Sequence, residues 1–107
     1  MTAPKTIWIL GRRWTLGLHD EAIAGGGGPC AGICDYSTKT ITLWAKYPDL
    51  PGAFWHEAMH AGLCEVSDQK EGLDDEHACN TFSAVKGSTE DDPRNKRLIE
   101  WLSEGRE

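Results

Sequence analysis

A chain of 107 residues, 39% of them hydrophobic and including five Trp, holds one domain with a modest core and is too apolar to read as disordered. Its formal net charge of −6 disfavours non-specific binding to nucleic acid or anionic membranes, and the short basic clusters Arg12-Arg13 and Arg94 to Arg97 read as solvated surface charge. Without a signal-peptide pattern or an apolar run of about 20 residues, the expected compartment is the cytoplasm, where Cys30, Cys34, Cys64 and Cys79 are expected as thiols rather than a disulfide framework.

The first half reads as β. Thr6 to Leu10 is a short apolar run, followed directly by Arg13 to Leu18, and a tight turn near Gly11-Arg12 would make them a hairpin. Gly25-Gly26-Gly27-Gly28-Pro29 reads as an irregular loop. No Gly-Lys-Ser/Thr follows it and no helical pattern begins there, so it is not read as a phosphate cradle. The chain then enters Ala31 to Tyr36, turns at Ser37-Thr38-Lys39, and gives its clearest strand at Thr40-Ile41-Thr42-Leu43-Trp44. The alternation there puts Ile41 and Leu43 on one face and both Thr residues with Trp44 on the other.

The second half reads as α. Pro51 suits the first turn of a helix predicted from about Gly52 to Val66. Ser67 to Gly72 is a polar connection, and a second helix is predicted from about Leu73 to Lys86, stopped by Gly87. Asp92-Pro93 has the pattern of an N-cap followed by proline, opening a third helix to about Ser103 with Leu98, Ile99 and Leu102 as its apolar stripe. The five tryptophans, Trp8, Trp14, Trp44, Trp55 and Trp101, read as core and rim packing, with Trp55 beside His56.

The first predicted helix carries His56-Glu57-Ala58-Met59-His60. Residues four apart on a helix stack on one face, so the two imidazoles point the same way and are suited to one Zn2+. Glu57 lies about 100° around the helix from His56, near where a metal-activated water would sit, and suits a general base. A chain of this length matches the His-Glu-x-x-His pattern by chance about once in several hundred. A third ligand is needed. The second predicted helix offers Glu76, His77, Asp74 and Asp75. Glu76 borders the apolar side marked by Cys79, Phe82 and Val85 and is the first choice, with His77 the runner-up. Cys64 and Cys79 read as thiols lining helix packing, with a Cys64–Cys79 bridge or a cysteine-held zinc as the alternatives.

These residues resemble the gluzincin metallopeptidases, and among them the small ImmA/IrrE-like proteins of phages and mobile elements. The resemblance covers residues 31 to 85 and rests on the strand at Thr40 to Trp44, on His56 to Ala61, and on Glu76-His77-Ala78-Cys79-Asn80-Thr81-Phe82-Ser83. That last stretch keeps Glu76, Asn80 and Phe82 of the family's Glu-x-x-Ala-Asn-x-Phe-Ala pattern. The resemblance implies His56, His60 and Glu76 as zinc ligands and Glu57 as catalytic base. It also implies a peptide substrate along the sheet edge, with Thr40 to Trp44 as the candidate edge. Tyr47, Tyr36, His19 and His77 are the candidates for an oxyanion stabiliser.

The expectation is a single α+β, zincin-like domain over residues 1–107, with two hairpin-like strand pairs packed on the motif helix and two further helices. The expected function is zinc-dependent hydrolysis of a peptide bond in a protein substrate. The alternative is a non-catalytic, metal-stabilised binding protein, for example a phage product that engages a host partner. No nucleic-acid or membrane partner is expected.

Overall fold

The computed structural model describes residues 2–25, 28–67 and 75–104, with side chains at all of these except 24–25, 28–30, 66–67, 75–82 and 104. The architecture is α+β: a four-stranded mixed sheet covered on one face by helices.

Strand β1 (Thr6–Ile9) and strand β2 (Arg12–His19) form the expected antiparallel hairpin, pairing Thr6 with Thr15 and Ile9 with Arg12. The turn falls one residue earlier than the sequence suggests, at Leu10-Gly11, with φ of 50° and 77°. Two successive positive φ values match the twist of a two-residue hairpin loop. Strand β3 (Ile23–Gly25) and strand β4 (Gly28–Cys30) make a separate antiparallel ribbon. Gly25 and Gly28 are therefore paired, where the sequence suggests irregular loop; Gly26 and Gly27 lie outside the described residues.

Strand β5 (Gly32–Asp35) and strand β6 (Thr40–Trp44) form the second hairpin. Its turn is held by Asp35, whose Oδ1 accepts from the Ser37 hydroxyl at 2.7 Å and the Ser37 N–H at 3.0 Å. Those hydrogen bonds hold the exposed Asp35 carboxyl below its ordinary range. The two hairpins join through β2 and β6, which run parallel, Thr15 against Thr40 and His19 against Trp44. A parallel pair needs a long connection, and residues 20–39 provide it. The strand order is β1-β2-β6-β5. This corrects the expectation that Thr40 to Trp44 is a sheet edge: β6 is paired on both sides, and β5 is the edge next to it.

Helix α1 (Leu50–Ser67) starts two residues before the sequence suggests. Asp49 caps it: its Oδ1 accepts from the Gly52 N–H at 3.1 Å and its carbonyl from the Ala53 N–H at 3.0 Å. Leu50, Ala53, Phe54, Ala58 and Ala61 form its buried stripe. They pack on the inner sheet face, to which the strands contribute Ile7, Ile9, Trp14, Leu16, Ile41 and Leu43. Ile41 and Leu43 are thus inward, as the alternation requires.

Helix α2 (Asp75–Asp91) continues through Gly87 instead of ending there. A glycine inside a helix costs only about 1 kcal/mol, and the turn around it is anchored by buried Val85 and Thr89 and by the Lys86–Glu90 pair at 2.9 Å. Val85 meets α1 at Gly62, where a Cβ would stand 2.1 Å from the Val85 Cγ2. Asp92 caps a 3-10 turn (Pro93–Asn95) with proline in first place, and helix α3 (Lys96–Glu104) follows, burying Leu98, Trp101 and Leu102.

Asn95 closes the other sheet edge. Its Oδ1 accepts from the Trp8 N–H at 2.9 Å, and its Nδ2 donates to the carbonyls of Trp8 at 2.7 Å and Thr89 at 3.0 Å. One buried amide side chain thereby serves the outward backbone of β1, as a neighbouring strand would. Arg94 lies over the Trp8 ring at 3.9 Å and pairs with Asp92. Among the described residues, no helix is long and apolar enough to cross a membrane.

Candidate functional site

Helical periodicity brings His56 and His60 together as their spacing requires. Their Nε2 atoms stand 3.3 Å apart, with the rings at 78°. Without a metal, that separation allows an imidazole N–H···N hydrogen bond between them. Two ligands at about 2.0–2.1 Å from a tetrahedral zinc are separated by about 3.3–3.4 Å, so the two donors fit that ion. His56 is exposed and His60 half-buried.

Glu57 follows His56 on the helix. It is 8% exposed and packs against the edge strand. A Cβ at Gly32 would lie 3.1 Å from the Glu57 Cγ and 2.9 Å from Leu43 Cδ2, so β5 approaches the helix this closely only because position 32 has no side chain. Glu57, His56 and Gly32 share a cavity of about 490 Å³ with Ala31, Ala53 and Gly52, closed by Tyr47 and Asp49.

The edge strand has a defined free side. The Trp44 N–H donates to the Ala31 carbonyl at 2.8 Å. By antiparallel alternation Ile33 and Asp35 also bond to β6, and the peptide groups of Gly32 and Cys34 face away from it. Among the described strands β5 pairs with β6 alone.

Cys34 and Cys64 are half-buried free thiols. Burial, reinforced by the nearby charges of Glu57, Cys64 and Asp35, pushes the Cys34 thiol up to about 12, so at neutral pH it is protonated. Burial also raises the Tyr36 phenol, again with Cys34, Cys64 and Glu57 adding to it. Farther along α1, Glu65 accepts from Trp14 Nε1 at 2.9 Å and from Lys39 Nζ at 2.8 Å. Burial opposes its ionisation, but these two hydrogen bonds outweigh burial and hold the carboxyl below its ordinary range. The pair ties the β5–β6 turn to α1.

Of the oxyanion candidates, Tyr47 is in the cavity wall, Tyr36 is 42% exposed, and His19 is exposed at the end of β2. The side chains of Glu76, His77 and Cys79 lie outside the described residues, as do Asp74 and the side chains of Asp75 and Cys30. The backbone puts Glu76 in the first turn of α2. Val85, which meets Gly62, is about 13 Å further along that helix at 1.5 Å per residue. Among the described residues no third His, Cys, Asp or Glu completes a metal-holding group. Trp55 packs on Phe54 at 5.0 Å with Lys86 over its ring, and does not line the cavity. The sequence reading missed Gly32 and Asp49. Asp49 had a signal, an N-cap residue two positions before Pro51; Gly32 had none. Comparison with protein-family models, curated proteins and solved structures finds no match to this chain.

Proposed function

We propose that this chain is a zinc-dependent peptidase that hydrolyses a peptide bond in a protein substrate. The observation that carries the reading is the 3.3 Å convergence of the His56 and His60 ring nitrogens on a helix whose intervening Glu57 lines the adjoining cavity. The resemblance to gluzincins, which rests on the same motif together with Glu76, Asn80 and Phe82, points the same way. Under this reading the domain is a minimal zincin-like fold, and His56, His60 and Glu76 hold the ion.

A zinc ion there supplies a Lewis acid for the carbonyl and an acidified water. The chain's own groups do the rest. The free side of β5, at Gly32 and Cys34, offers backbone donors and acceptors to an extended peptide. Glu57 takes a proton from water and returns it to the leaving amine. Its burial against Gly32 and Leu43 fixes the carboxylate, and the protonated Cys34 places no second anion beside it.

The test is Glu57→Gln, which keeps size and removes the base. With a mixed peptide library as substrate, the zinc-loaded protein is expected to cleave. The variant is expected to retain its zinc and lose at least about a hundredfold in rate. Unchanged cleavage by the variant overturns the mechanism. Zinc retained by both proteins with cleavage by neither returns the non-catalytic, metal-stabilised binding protein.

A further inference from the structure

The cavity beside Glu57 has two ends. Along α1, Glu57 and His56 stand at one and Asp49 at the other, and Tyr47 also lines the space. Asp49 precedes Glu57 by eight positions, about 12 Å along the helix axis. Between them the wall is made of Ala31, Gly32, Gly52 and Ala53, which clears the space rather than filling it. The Asp49 carboxylate is held in place by the Gly52 N–H. It folds over Gly52 so closely that a Cβ there would stand 2.2 Å from Oδ2. Tyr47 is steadied by Trp44, with ring centroids 5.9 Å apart.

Helix capping accounts for Asp49 Oδ1 alone. It does not account for an aromatic ring, a second carboxylate and four small residues around one space. The charge of that space is also one-sided: among the described residues its lining includes Asp49 and Glu57 and neither Lys nor Arg. A helix N-terminus by itself favours an anion, but its roughly half-unit positive charge is outweighed by the full negative charge of Asp49. A carboxylate next to an aromatic face suits an organic cation, and the length of the space suits the long stems of Lys and Arg.

We propose that this cavity is a specificity pocket for a cationic side chain, with Asp49 as its anionic end and Tyr47 as its aromatic wall. Resting on the peptidase reading, the substrates favoured are peptides with Lys or Arg beside the cleaved bond.

The test is binding, which does not depend on turnover. Short peptides that differ only in carrying Lys, Arg or norleucine at one position are titrated calorimetrically into the zinc-loaded Glu57→Gln protein. The cationic peptides are expected to bind about fivefold to tenfold more tightly than the norleucine peptide, the scale of an exposed ion pair plus a cation–π contact. Asp49→Asn keeps the cap, since Asn caps as well as Asp, and removes the charge. Added to Glu57→Gln, it is expected to leave the melting temperature unchanged and to abolish the discrimination. Equal binding of the peptides, no measurable binding of any of them at millimolar concentration, or discrimination that survives Asp49→Asn overturns the pocket. Failure of the wild-type protein to cleave the mixed library overturns the peptidase reading and leaves this binding comparison standing.

Discussion

Gly32 on the edge strand and Glu57 on the motif helix touch at a separation with no room for a methyl group: a Cβ at position 32 would meet the Glu57 Cγ at 3.1 Å. A Cβ there would also meet Leu43 Cδ2 at 2.9 Å, so Gly32→Ala must move the strand, Leu43 or the carboxylate. Overpacking of this kind costs about 1–3 kcal/mol, and part of the strain falls on the proposed base. The expected outcome is a modest loss of stability by urea denaturation, a larger loss of kcat, and unchanged zinc affinity. Unchanged kcat sinks the assignment of Glu57 as a base held in place by β5.

Zinc titration with a competing chelator tests the ligands one at a time. His56→Ala and His60→Ala are each expected to weaken binding by more than about a hundredfold, since each removes one of the three proposed protein ligands. Glu76→Gln is expected to weaken it by a similar factor, and His77→Ala to leave it unchanged. The reverse pattern for the last two gives the third position to His77.

Asn95 stands in for a missing strand beside Trp8, with all three of its hydrogen bonds going to backbone groups. Asn95→Ala leaves those groups without partners in a buried place, at about 1–3 kcal/mol each before relaxation and water entry. A net loss of about 3 kcal/mol is expected, enough to lower the melting temperature by roughly 12–24 °C in a domain of this size. Zinc binding, measured below the transition, is expected to be unchanged, because β1 and the motif helix meet only through the core. A melting temperature within 2–3 °C of the wild type, about 0.5 kcal/mol, rules out the edge-closing role.

Cys34 gives the fold an alkaline weakness. Its thiol rises from 9.0 to about 12 on folding. Between those values the unfolded chain loses the proton and the folded chain keeps it, so the native state binds more protons and stability falls as pH rises. Below pH 9 the group contributes no slope. Urea midpoints of wild type and Cys34→Ala, compared at pH 8 and pH 10.5, are expected to converge at the higher pH. An identical pH dependence in the two proteins is the contrary result.

Much of the site was legible because it is local. A helix repeats every 3.6 residues wherever it packs, so the spacing of His56 and His60 was enough to put their rings on one face. The alternation of Thr40 to Trp44 was enough to turn Ile41 and Leu43 inward, and Asp92-Pro93 to start a helical turn. The end of α2 was misread for the complementary reason. A glycine's local cost is small, and burial of Val85 and Thr89 on either side of Gly87 carries the helix past it.

By itself, then, the sequence determined an α+β chain with two histidines side by side and a carboxylate about 100° around the helix from the first of them. Only the tertiary structure decided what that carboxylate meets. The parallel pairing of β2 with β6 joins residues 25 apart in the chain and makes β5, not β6, the edge. Asn95 closes the opposite edge, and Asp49 and Tyr47 come to share a cavity with Glu57. These relations depend on which segments pair and pack across the whole core, and no short-range period encodes that choice.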